Sequence, residues 1–333
     1  MPELLAWGPT WLFPILALFG GLFLLIRSSD SFVEGAAGLA RHFGISPLVI
    51  GMLIVGFGTS APELVVSALS AIEGKPALAL GNAFGSNIAN IALILGVTAL
   101  IQPILVHSNI LRRELPLLIG VTLISMGLLW DHVVSRWDGI LLLVVFVCAM
   151  SWTFWISLKR PQDELLESAT EGLSTTPTPL KRSILQLLLG LIVLVLSSRG
   201  LVWGAVELAT MAGISELVIG LTVVAIGTSL PELASTIAAV RKGQHDMAIG
   251  NVVGSNLFNT LAVVGIAGTI HPFALDEEVL KRDVPVMLLL TFSLFIFGWG
   301  RNGKGRINRI EGAVYLIIFL VYTLVLIRSV LAP

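Results

Sequence analysis

The chain has 333 residues, of which 56% are hydrophobic and only 12% are charged, and its formal net charge is −1. A soluble domain carries about 25% charged residues, so these few charges cannot cover a soluble surface but can flank helices that face lipid. The near-neutral balance excludes a basic nucleic-acid footprint, and the single cysteine excludes a disulfide framework. We therefore expect an all-α integral membrane protein in contact with the lipid bilayer, with no nucleic-acid partner and no cofactor.

Ten segments are apolar enough to cross a membrane, because a spanning helix needs about 20 mostly apolar residues. In chain order they lie near residues 10–40, 46–71, 76–101, 114–131, 137–158, 182–212, 215–240, 246–270, 281–299 and 307–331. The one long connection, residues 159–181, is polar and rich in Ser, Thr and Pro, which predicts a flexible linker. It separates two halves of five helices each, residues 1–158 and 182–333.

The lysines and arginines of the short loops predict how the helices are oriented. With the N-terminus outside, the inner loops hold 13 of these residues and the outer loops hold five. This bias predicts that both termini lie outside and that the 159–181 linker lies in the cytoplasm. We expect a multi-pass protein of the inner (cytoplasmic) membrane that functions as a monomer.

The two halves contain a sequence repeat. Residues 44–103 align without a gap to residues 213–272, an offset of 169, and about 25 of the 60 pairs are identical. The identities fall mainly on Gly, Thr, Ser, Pro, Glu and Asn, which packing alone would not select. Because each half has an odd number of helices, two copies in sequence must cross the membrane in opposite senses. The sequence therefore predicts two inverted five-helix repeats, an arrangement in which transporters bind substrate at mid-membrane.

The first repeated motif lies midway along the second and the seventh predicted helix. It reads GTSAPE at residues 58–63 and GTSLPE at 227–232. Proline lacks an amide hydrogen and its ring clashes with the carbonyl four residues earlier. We expect carbonyls from Gly56 to Thr59 to lose their helical partners, and likewise those from Ala225 to Thr228. Freed carbonyls in hydrocarbon need another partner, which a dehydrated cation can supply.

Each copy of the motif ends in a glutamate, Glu63 or Glu232. A carboxylate at the bilayer centre is costly, so two at equivalent positions indicate a shared ligand. With the hydroxyls of Ser60 and Ser229 they form an all-oxygen set, which suits a hard cation such as Ca²⁺ and is poor for Zn²⁺ or Cu⁺. The alternative is that each glutamate is protonated or pairs with Arg27 or Arg199.

The second repeated motif reads GNAFGSNIAN at residues 81–90 and GNVVGSNLFN at 250–259. Its glycines allow a neighbouring helix to approach closely. Its Ser and last Asn are four residues apart and share one helix face, so they are predicted to line the cation path. These residues are Ser86, Asn90, Ser255 and Asn259. For Asn82, Asn87, Asn251 and Asn256, a structural role and a role in the path remain equally open.

Other charges in the predicted helices favour a structural interpretation. Asp30 and Glu34 in the first helix, and Glu207 in the sixth, can sit at a wet helix end or pair with Arg27 and Arg199. Lining a vestibule is the alternative.

At the two motifs the sequence resembles the cation/Ca²⁺ exchanger superfamily, and specifically the bacterial and archaeal Na⁺/Ca²⁺ antiporters of the sodium/calcium exchanger family. The resemblance rests on G-T-S-x-P-E followed by G-N-x-x-G-S-N-x-x-N, present twice, and extends over essentially all ten helices. It implies alternating access, in which Na⁺ enters down its gradient and Ca²⁺ leaves.

The resemblance also implies roles for individual residues. Glu63 and Glu232 would share Ca²⁺, helped by the carbonyls of Thr59 and Thr228. The Na⁺ sites would map to Gly56, Thr59, Ser60, Glu63 and Ser86 on one side and to Ala225, Thr228, Ser229, Glu232 and Ser255 on the other. Asn90 and Asn259 would fall at the central site. Some relatives, including K⁺-dependent exchangers, carry Asp where this chain has Asn259, which argues against K⁺ co-transport.

Three functions remain open on the sequence. The first is Na⁺/Ca²⁺ antiport, and the second is H⁺-coupled exchange of Ca²⁺ or another cation, with protons carried by the glutamates. The four serines favour Na⁺, because a proton would not need their oxygens. The third, a cation channel or an intramembrane enzyme, is disfavoured. An inverted pair does not form a ring around a pore, and the helix centres contain no His for a protease.

Overall fold

The computed structural model describes six stretches of the chain. They are residues 11–107, 114–158, 179–213, 225–275, 277–298 and 304–331. Most of the predicted linker, residues 159–178, lies outside the described residues, as do residues 214–224 at the start of the predicted seventh helix.

Helices dominate the described residues. Their bounds are α1 Leu12–Phe43, α2 Pro47–Ile72, α3 Pro76–Ile101, α4 Leu115–Leu128, α5 Arg136–Leu158, α6 Leu180–Met211, α7 Ala225–Thr228, α8 Leu230–Arg241, α9 His245–Ile270, α10 Val284–Gly298 and α11 Arg309–Leu331. Each of the ten predicted segments thus contains helix, with α7 and α8 sharing the seventh.

Within the described residues, seven helices are long and apolar enough to cross a membrane, namely α1, α2, α3, α5, α6, α9 and α11. Helix α4 has only 14 residues, which is shorter than a full span. The 15 residues of α10 directly follow a π-helical segment, Val279–Asp283, which contains the charged residues Lys281, Arg282 and Asp283. A mostly helical multi-pass membrane protein is therefore confirmed. The count of ten spans stays a prediction.

The sequence repeat is matched by repeated backbone features. Among the described residues, four glycines have positive φ, and they form two pairs 169 residues apart: Gly44 with Gly213, and Gly74 with Gly243. Gly44 ends α1 in the left-handed conformation, which a residue with a Cβ adopts at a cost. The chain therefore turns in the same way after each pair of equivalent helices.

The two halves also pair through short strands. Strand β1 (Ile104–His107) runs antiparallel to β4 (Lys304–Ile307), and β2 (Val133–Val134) runs antiparallel to β3 (Phe273–Ala274). In each two-stranded sheet, one strand comes from each half of the chain. The sheets therefore join the halves at the helix ends.

Helices α1 and α6 pack closely through glycines at equivalent positions. A Cβ on Gly35 would lie 2.7 Å from the Ser183 carbonyl oxygen, and a Cβ on Gly204 would lie 2.5 Å from that of Pro14. Such distances leave no room for a side chain, so the two backbones are in contact. Gly35 and Gly204 are again 169 residues apart.

Helices α3 and α9 form the centre of the molecule. In the most apolar 18-residue stretch of each helix, 72% of the residues are buried in α3 and 83% in α9, against 28% in α1 and 17% in α11. Each contains a π-helical segment at the equivalent place, Ala89–Leu95 in α3 and Phe258–Val263 in α9. Such segments are rare and occur often at functional sites. They hold Asn90 and Asn259, which places the second repeated motif in the protein interior.

Candidate cation-binding site

The first carboxylate lies on an unbroken helix. Glu63 follows Pro62 within α2, downstream of a π-helical segment at Gly51–Gly56. The Thr59 hydroxyl lies 3.0 Å from the Val55 carbonyl oxygen and 3.4 Å from that of Gly56. The amide hydrogen that Pro62 lacks would have bonded to the carbonyl of Gly58, so these hydroxyl contacts involve other carbonyls and the freed carbonyls stay a prediction. Glu63 itself is only 2% exposed.

The second carboxylate lies just after a break in the helix. Helix α7 ends at Thr228 and α8 begins at Leu230, with Ser229 between them at φ −90° and ψ 5°. Pro231 is in the first turn of α8, where a missing amide hydrogen costs little. Glu232 lies in the same turn and is 3% exposed. The positive end of the α8 dipole favours a negative charge there.

The two motif copies meet directly. The Ser60 hydroxyl donates a hydrogen bond of 3.2 Å to Glu232 Oε1, and this contact joins residues 172 positions apart. The carboxyl groups of Glu63 and Glu232 lie within electrostatic range of each other. The structure therefore brings the polar centres of the two copies to one place, as the sequence predicts.

Asn251 of α9 adds a second link between the motif helices. Its Oδ1 lies 3.3 Å from the Thr59 hydroxyl, and its Nδ2 lies 3.3 Å from the main-chain oxygen of Glu232. Asn90 of α3 and Asn256 of α9 are joined by a 3.0 Å bond from Nδ2 to Oδ1. The amides of the second motif therefore bond across helices next to the carboxylates.

Several buried oxygens of the two repeated motifs have no hydrogen-bond partner among the described residues. They are Oε2 of Glu63, Oε2 of Glu232, Oδ1 of Asn87, Asn90 and Asn259, and Oγ of Ser255. An unpaired buried acceptor costs about 1–3 kcal/mol, and more if it is charged. Five of the six can only accept hydrogen bonds when the glutamates are ionised. A cation is the partner that such a set of oxygens fits.

The remaining predicted residues lie on the same elements. Gly56, Thr59, Ser60, Ser86, Asn90, Ser229, Ser255 and Asn259 are all buried. Thr228 is half-buried, and Ala225 begins α7. Apart from the two glutamates, the predicted Ser, Thr and Asn side chains carry hydroxyl and amide oxygens, which are ligand types that suit Ca²⁺ and Na⁺.

One polar contact was missed at the sequence level. The Ser198 hydroxyl of α6 donates a 3.2 Å bond to the carbonyl of Gly227, the carbonyl that Pro231 leaves without an amide partner. Freed carbonyls were expected there, yet this one is satisfied by a neighbouring helix. The available signal was the pair Ser197-Ser198, which repeats Ser28-Ser29 at the same offset of 169.

The acidic residues of α1 have a partner other than the expected one. Lys242, just after α8, lies 2.8 Å from Glu34 Oε1 and 3.8 Å from Asp30 Oδ1. Gln186 of α6 donates a 3.1 Å bond to Glu34 Oε2. Among the described residues, the ion pairs of these two acids are therefore with Lys242 rather than with Arg27. The real partner was hidden by a sequence separation of 208 residues for Glu34 and Lys242.

Comparison with known proteins identifies the chain. The model of the family described as sodium/calcium exchanger protein matches residues 13–155 and 182–328, which is most of both halves. This chain belongs to the sodium/calcium exchanger family. The resemblance carried by the two motifs is therefore confirmed.

Relatives of the exchanger family match almost the whole chain. The inner membrane protein YrbG of Escherichia coli is 42% identical over 92% of this chain and 96% of its own length. The sodium/calcium exchanger MaX1 of Methanosarcina acetivorans is 29% identical over 93% and 97%. The solved structure of the sodium-calcium exchanger NCX_Mj, soaked with Na⁺ and Ca²⁺, has a TM-score of 0.79 and 30% identity. It covers 93% of this chain and 97% of the NCX_Mj chain.

Proposed function

We propose that this chain exchanges Na⁺ for Ca²⁺ across a membrane by alternating access, with Glu63 and Glu232 as ligands of both ions. The observation that carries the proposal is the pair of buried carboxylates, each with one oxygen that no donor among the described residues reaches. Such a pair is costly in a membrane interior unless a cation compensates its charge. Membership of the sodium/calcium exchanger family supports the choice of these two ions.

The Ca²⁺ position lies between the two motif helices. Two glutamates give a charge of −2, and the carbonyls of Thr59 and Thr228 add neutral oxygens. Ca²⁺ accepts six to eight oxygens in flexible geometry, which a site assembled from two helices provides. The hydrogen bond from Ser60 to Glu232 supports this assignment, because it joins residues of the two motif copies that would contact the same ion.

Na⁺ occupies positions that flank the same carboxylates. Their ligands are Gly56, Thr59, Ser60, Glu63 and Ser86 on one side and Ala225, Thr228, Ser229, Glu232 and Ser255 on the other, with Asn90 and Asn259 at the centre. The unpaired oxygens of Ser255, Asn90 and Asn259 support this set. Because the two ions share the glutamates, binding of one disfavours binding of the other.

Sharing of the carboxylates explains why transport is an exchange. An empty site leaves two uncompensated charges in the protein interior, a state that costs several kcal/mol. The protein therefore changes between its inward-facing and outward-facing states only when Ca²⁺ or Na⁺ occupies the site. Each return journey must carry an ion, so one ion moves in for the other that moves out. With an inward Na⁺ gradient, the cycle extrudes Ca²⁺.

We further propose that the ten helical segments are ten spans in two inverted repeats, residues 1–158 and 182–333, joined by a cytoplasmic linker at 159–181. Both termini are placed outside, in the inner membrane, and the unit of transport is the monomer. The paired glycines and the crossed strand pairs support a structural repeat. The excess of Lys and Arg in the inner loops supports the orientation.

The deciding experiment measures coupling directly. Purified protein is reconstituted into vesicles loaded with Na⁺, and ⁴⁵Ca²⁺ is added outside. We expect uptake to follow the outward Na⁺ gradient and to vanish when choline replaces Na⁺. Uptake that ignores Na⁺ but follows a pH gradient would assign H⁺-coupled exchange instead. Uptake that needs neither gradient and does not saturate would assign a channel.

A further inference from the structure

Asn251 on α9 lies between the two motif helices and is 1% exposed. Its Nδ2 is 2.8 Å from Thr236 Oγ1 and 3.1 Å from Ser235 Oγ, both on α8. The same nitrogen is 3.3 Å from the main-chain oxygen of Glu232. On its other side, Oδ1 is 3.3 Å from the Thr59 hydroxyl on α2. One side-chain amide therefore joins the helices that carry the two copies of the first motif.

The direction of these bonds follows from the chemistry of the partners. A main-chain carbonyl can only accept, so the amide group must turn its NH₂ towards Glu232. The Oδ1 atom then faces α2, where the Thr59 hydroxyl shares its one proton between Asn251 Oδ1 at 3.3 Å and the Val55 carbonyl oxygen at 3.0 Å. A flipped amide would place Oδ1 against the carbonyl of Glu232 and lose these bonds. The contact therefore has one favourable arrangement.

Asn251 reaches α2 because glycines bring the two backbones together. A Cβ on Gly254 would lie 2.6 Å from the Met52 carbonyl oxygen, and a Cβ on Gly56 would lie 3.1 Å from the Ser255 amide nitrogen. Gly254 has no room for a side chain, and a Cβ on Gly56 would force its neighbours to shift. The short Asn251 side chain can span the remaining gap. Gly254 and Asn251 of the second motif therefore combine close approach with a polar link.

We infer that Asn251 is a positioning residue of the cation site. It fixes the distance from Thr59 and Ser60, both on α2, to Glu232 on α8. The Ser60 hydroxyl oxygen and Glu232 Oε1 are 3.2 Å apart. The inference rests on the proposed function, because it uses the ligands proposed there. Groups that hold ligands in place chiefly set how tightly the ion binds. Asn251 therefore acts on cation affinity more than on the maximal rate.

The test is Asn251→Ala, with Ca²⁺ uptake measured in Na⁺-loaded vesicles over a range of Ca²⁺ concentrations. Each neutral hydrogen bond contributes modestly, so we expect the half-saturating Ca²⁺ concentration to rise roughly two- to tenfold, with a smaller change in maximal rate. The matched control is Asn308→Ala. Asn308 Oδ1 accepts from the amides of Ile310 and Glu311 at the start of α11, far along the chain from the motifs. It should lower thermal stability and leave half-saturation unchanged.

A second variant keeps the test decisive if Asn251→Ala folds poorly. Thr59→Val removes the hydroxyl at the far end of the contact and keeps the proposed carbonyl ligand. It should raise the half-saturating concentration, and the double variant should be less than additive. Half-saturation unchanged in either single variant, with only thermal stability lowered, would refute the positioning role. Absence of Na⁺-driven uptake in the wild-type protein would instead refute the proposed function.

A different observation concerns the ends of the motif helices. Lys242, after α8, pairs with Glu34 at 2.8 Å and with Asp30 at 3.8 Å on α1. At an offset of 169, Asp30 corresponds to Arg199 of α6, and Lys242 corresponds to Glu73 after α2. The positions of the acid Asp30 and the base Lys242 therefore hold a base, Arg199, and an acid, Glu73, in the other half.

The two pairs are in different states. Lys242 is bridged to α1, whereas within the described residues Glu73 pairs with Lys75 at 3.8 Å and no ion pair joins it to Arg199. A cavity of about 240 Å³ lies between α1 and α8, lined by Asp30 and by Arg241 among others. The two helices are thus held by the ion pair at one point and loosely packed beside it.

We propose that the two pairs are alternating ionic latches, one for each facing of the transporter. In this structure the latch formed by Asp30, Glu34 and Lys242 is closed and the one formed by Arg199 and Glu73 is open. In the proposed orientation they lie on opposite sides of the membrane. This inference rests on the proposed inverted repeats and alternating access. Each latch stabilises one facing, so removing it shifts the population towards the other.

The test compares Lys242→Gln with Arg199→Gln in oriented vesicles, with half-saturating Ca²⁺ measured at each membrane face. Partly exposed pairs contribute little, so we expect the ratio of the two values to shift by roughly two- to fivefold, in opposite directions for the two variants. The double variant should return towards the wild-type ratio. Lys281→Gln removes an exposed pair with Glu277 and should leave the ratio unchanged. Shifts in the same direction, or no shift, would refute the latches, whereas a wild-type protein without exchange would refute the proposed function.

Discussion

The first copy of the Gly-Thr-Ser-x-Pro-Glu motif lies inside the unbroken helix α2, whereas the second is divided between α7 and α8 at Ser229. Five of the six residues are identical, and the sixth is Ala61 in the first copy and Leu230 in the second. The contacts of the two copies also differ. The same residues therefore have two accessible backbones, which is the property that two repeats need if they exchange conformations during transport.

The contacts of the two copies differ in a consistent way. At the second copy, Ser198 bonds to the Gly227 carbonyl across helices, whereas its counterpart Ser29 bonds to the Ile26 carbonyl of its own helix at 2.9 Å. The side chain of Asn251 extends from α9 to Thr59 of the first copy. Among the described residues, the side chain of its counterpart Asn82 bonds to Ser67 at 3.3 Å. The asymmetry thus lies in polar contacts between helices, which are easier to exchange than packed apolar surfaces.

The largest effect is expected at the glutamates, where the two motif copies should respond in the same way. If Glu63 and Glu232 share one divalent ion, Glu63→Gln and Glu232→Gln must have the same result in spite of their different backbones. Either change leaves one carboxylate for Ca²⁺, so we expect Na⁺-dependent ⁴⁵Ca²⁺ uptake to fall to the level of empty vesicles. Glu277→Gln, which removes an exposed carboxylate with 65% side-chain accessibility, is the matched control and should transport normally. Uptake retained by both glutamate variants would remove the proposed site.

The next largest effect is expected where the two halves are alike. Gly35→Ala and Gly204→Ala each place a Cβ within 2.7 Å of a carbonyl oxygen of the opposing helix. We expect both to lower the free energy of unfolding by about 1–3 kcal/mol, because close-packed helices must separate. Thermal unfolding in detergent measures the effect.

Gly20 of α1 supplies the control for this packing prediction, since a Cβ there meets no described atom within 4 Å. Gly20→Ala should leave stability unchanged or raise it by up to about 1 kcal/mol, because Ala favours helix more than Gly. Equal losses at positions 35 and 204 would support a symmetric α1–α6 pair. A loss at only one of them would show that the asymmetry of the motifs extends into the packing.

A smaller effect is expected at the two equivalent serines. Ser198→Ala leaves the buried Gly227 carbonyl without a partner, which should cost about 1–2 kcal/mol. Ser29→Ala removes only a bond to the preceding turn of the same helix, so it should cost less than about 0.5 kcal/mol. Thermal unfolding of the two variants side by side tests the difference. Equal costs would mean that the break at Ser229 does not depend on α6.

Much of this arrangement was predictable from the sequence because it depends on local composition. Apolar length fixed the helix positions, and helix is present at all ten predicted segments. The two motifs identified the exchanger family. The repeat also predicted a site shared by Glu63 and Glu232, and the structure joins the two motif copies through the hydrogen bond from Ser60 to Glu232.

The remainder depends on contacts that no local pattern encodes. Nothing in GTSAPE and GTSLPE predicts an unbroken helix for one copy and a broken helix for the other, and the bond from Ser198 to the Gly227 carbonyl occurs at the broken copy. The partner of Glu34 is Lys242, and a pairing over 208 residues follows from helix packing rather than from spacing. Asn251 could have been structural or part of the path, and its role depends on the glycines that bring α9 against α2.

No effect is expected from K⁺, and this prediction tests a position at which the two halves carry the same residue. Asn90 and Asn259 occupy equivalent π-helical segments, and both are neutral and buried. The site thus has only the charge of its two glutamates, which Ca²⁺ balances without a further cation. Replacing K⁺ by choline on both sides of the vesicle membrane should leave Na⁺-dependent Ca²⁺ uptake unchanged. Asn259→Asp adds a third carboxylate to the same space, so that variant should slow Ca²⁺ exchange unless another cation is bound, and added K⁺ should then restore part of the rate. A wild-type rate that depends on K⁺ would mean that neutral amides, without a third charge, suffice to hold K⁺ beside the glutamates.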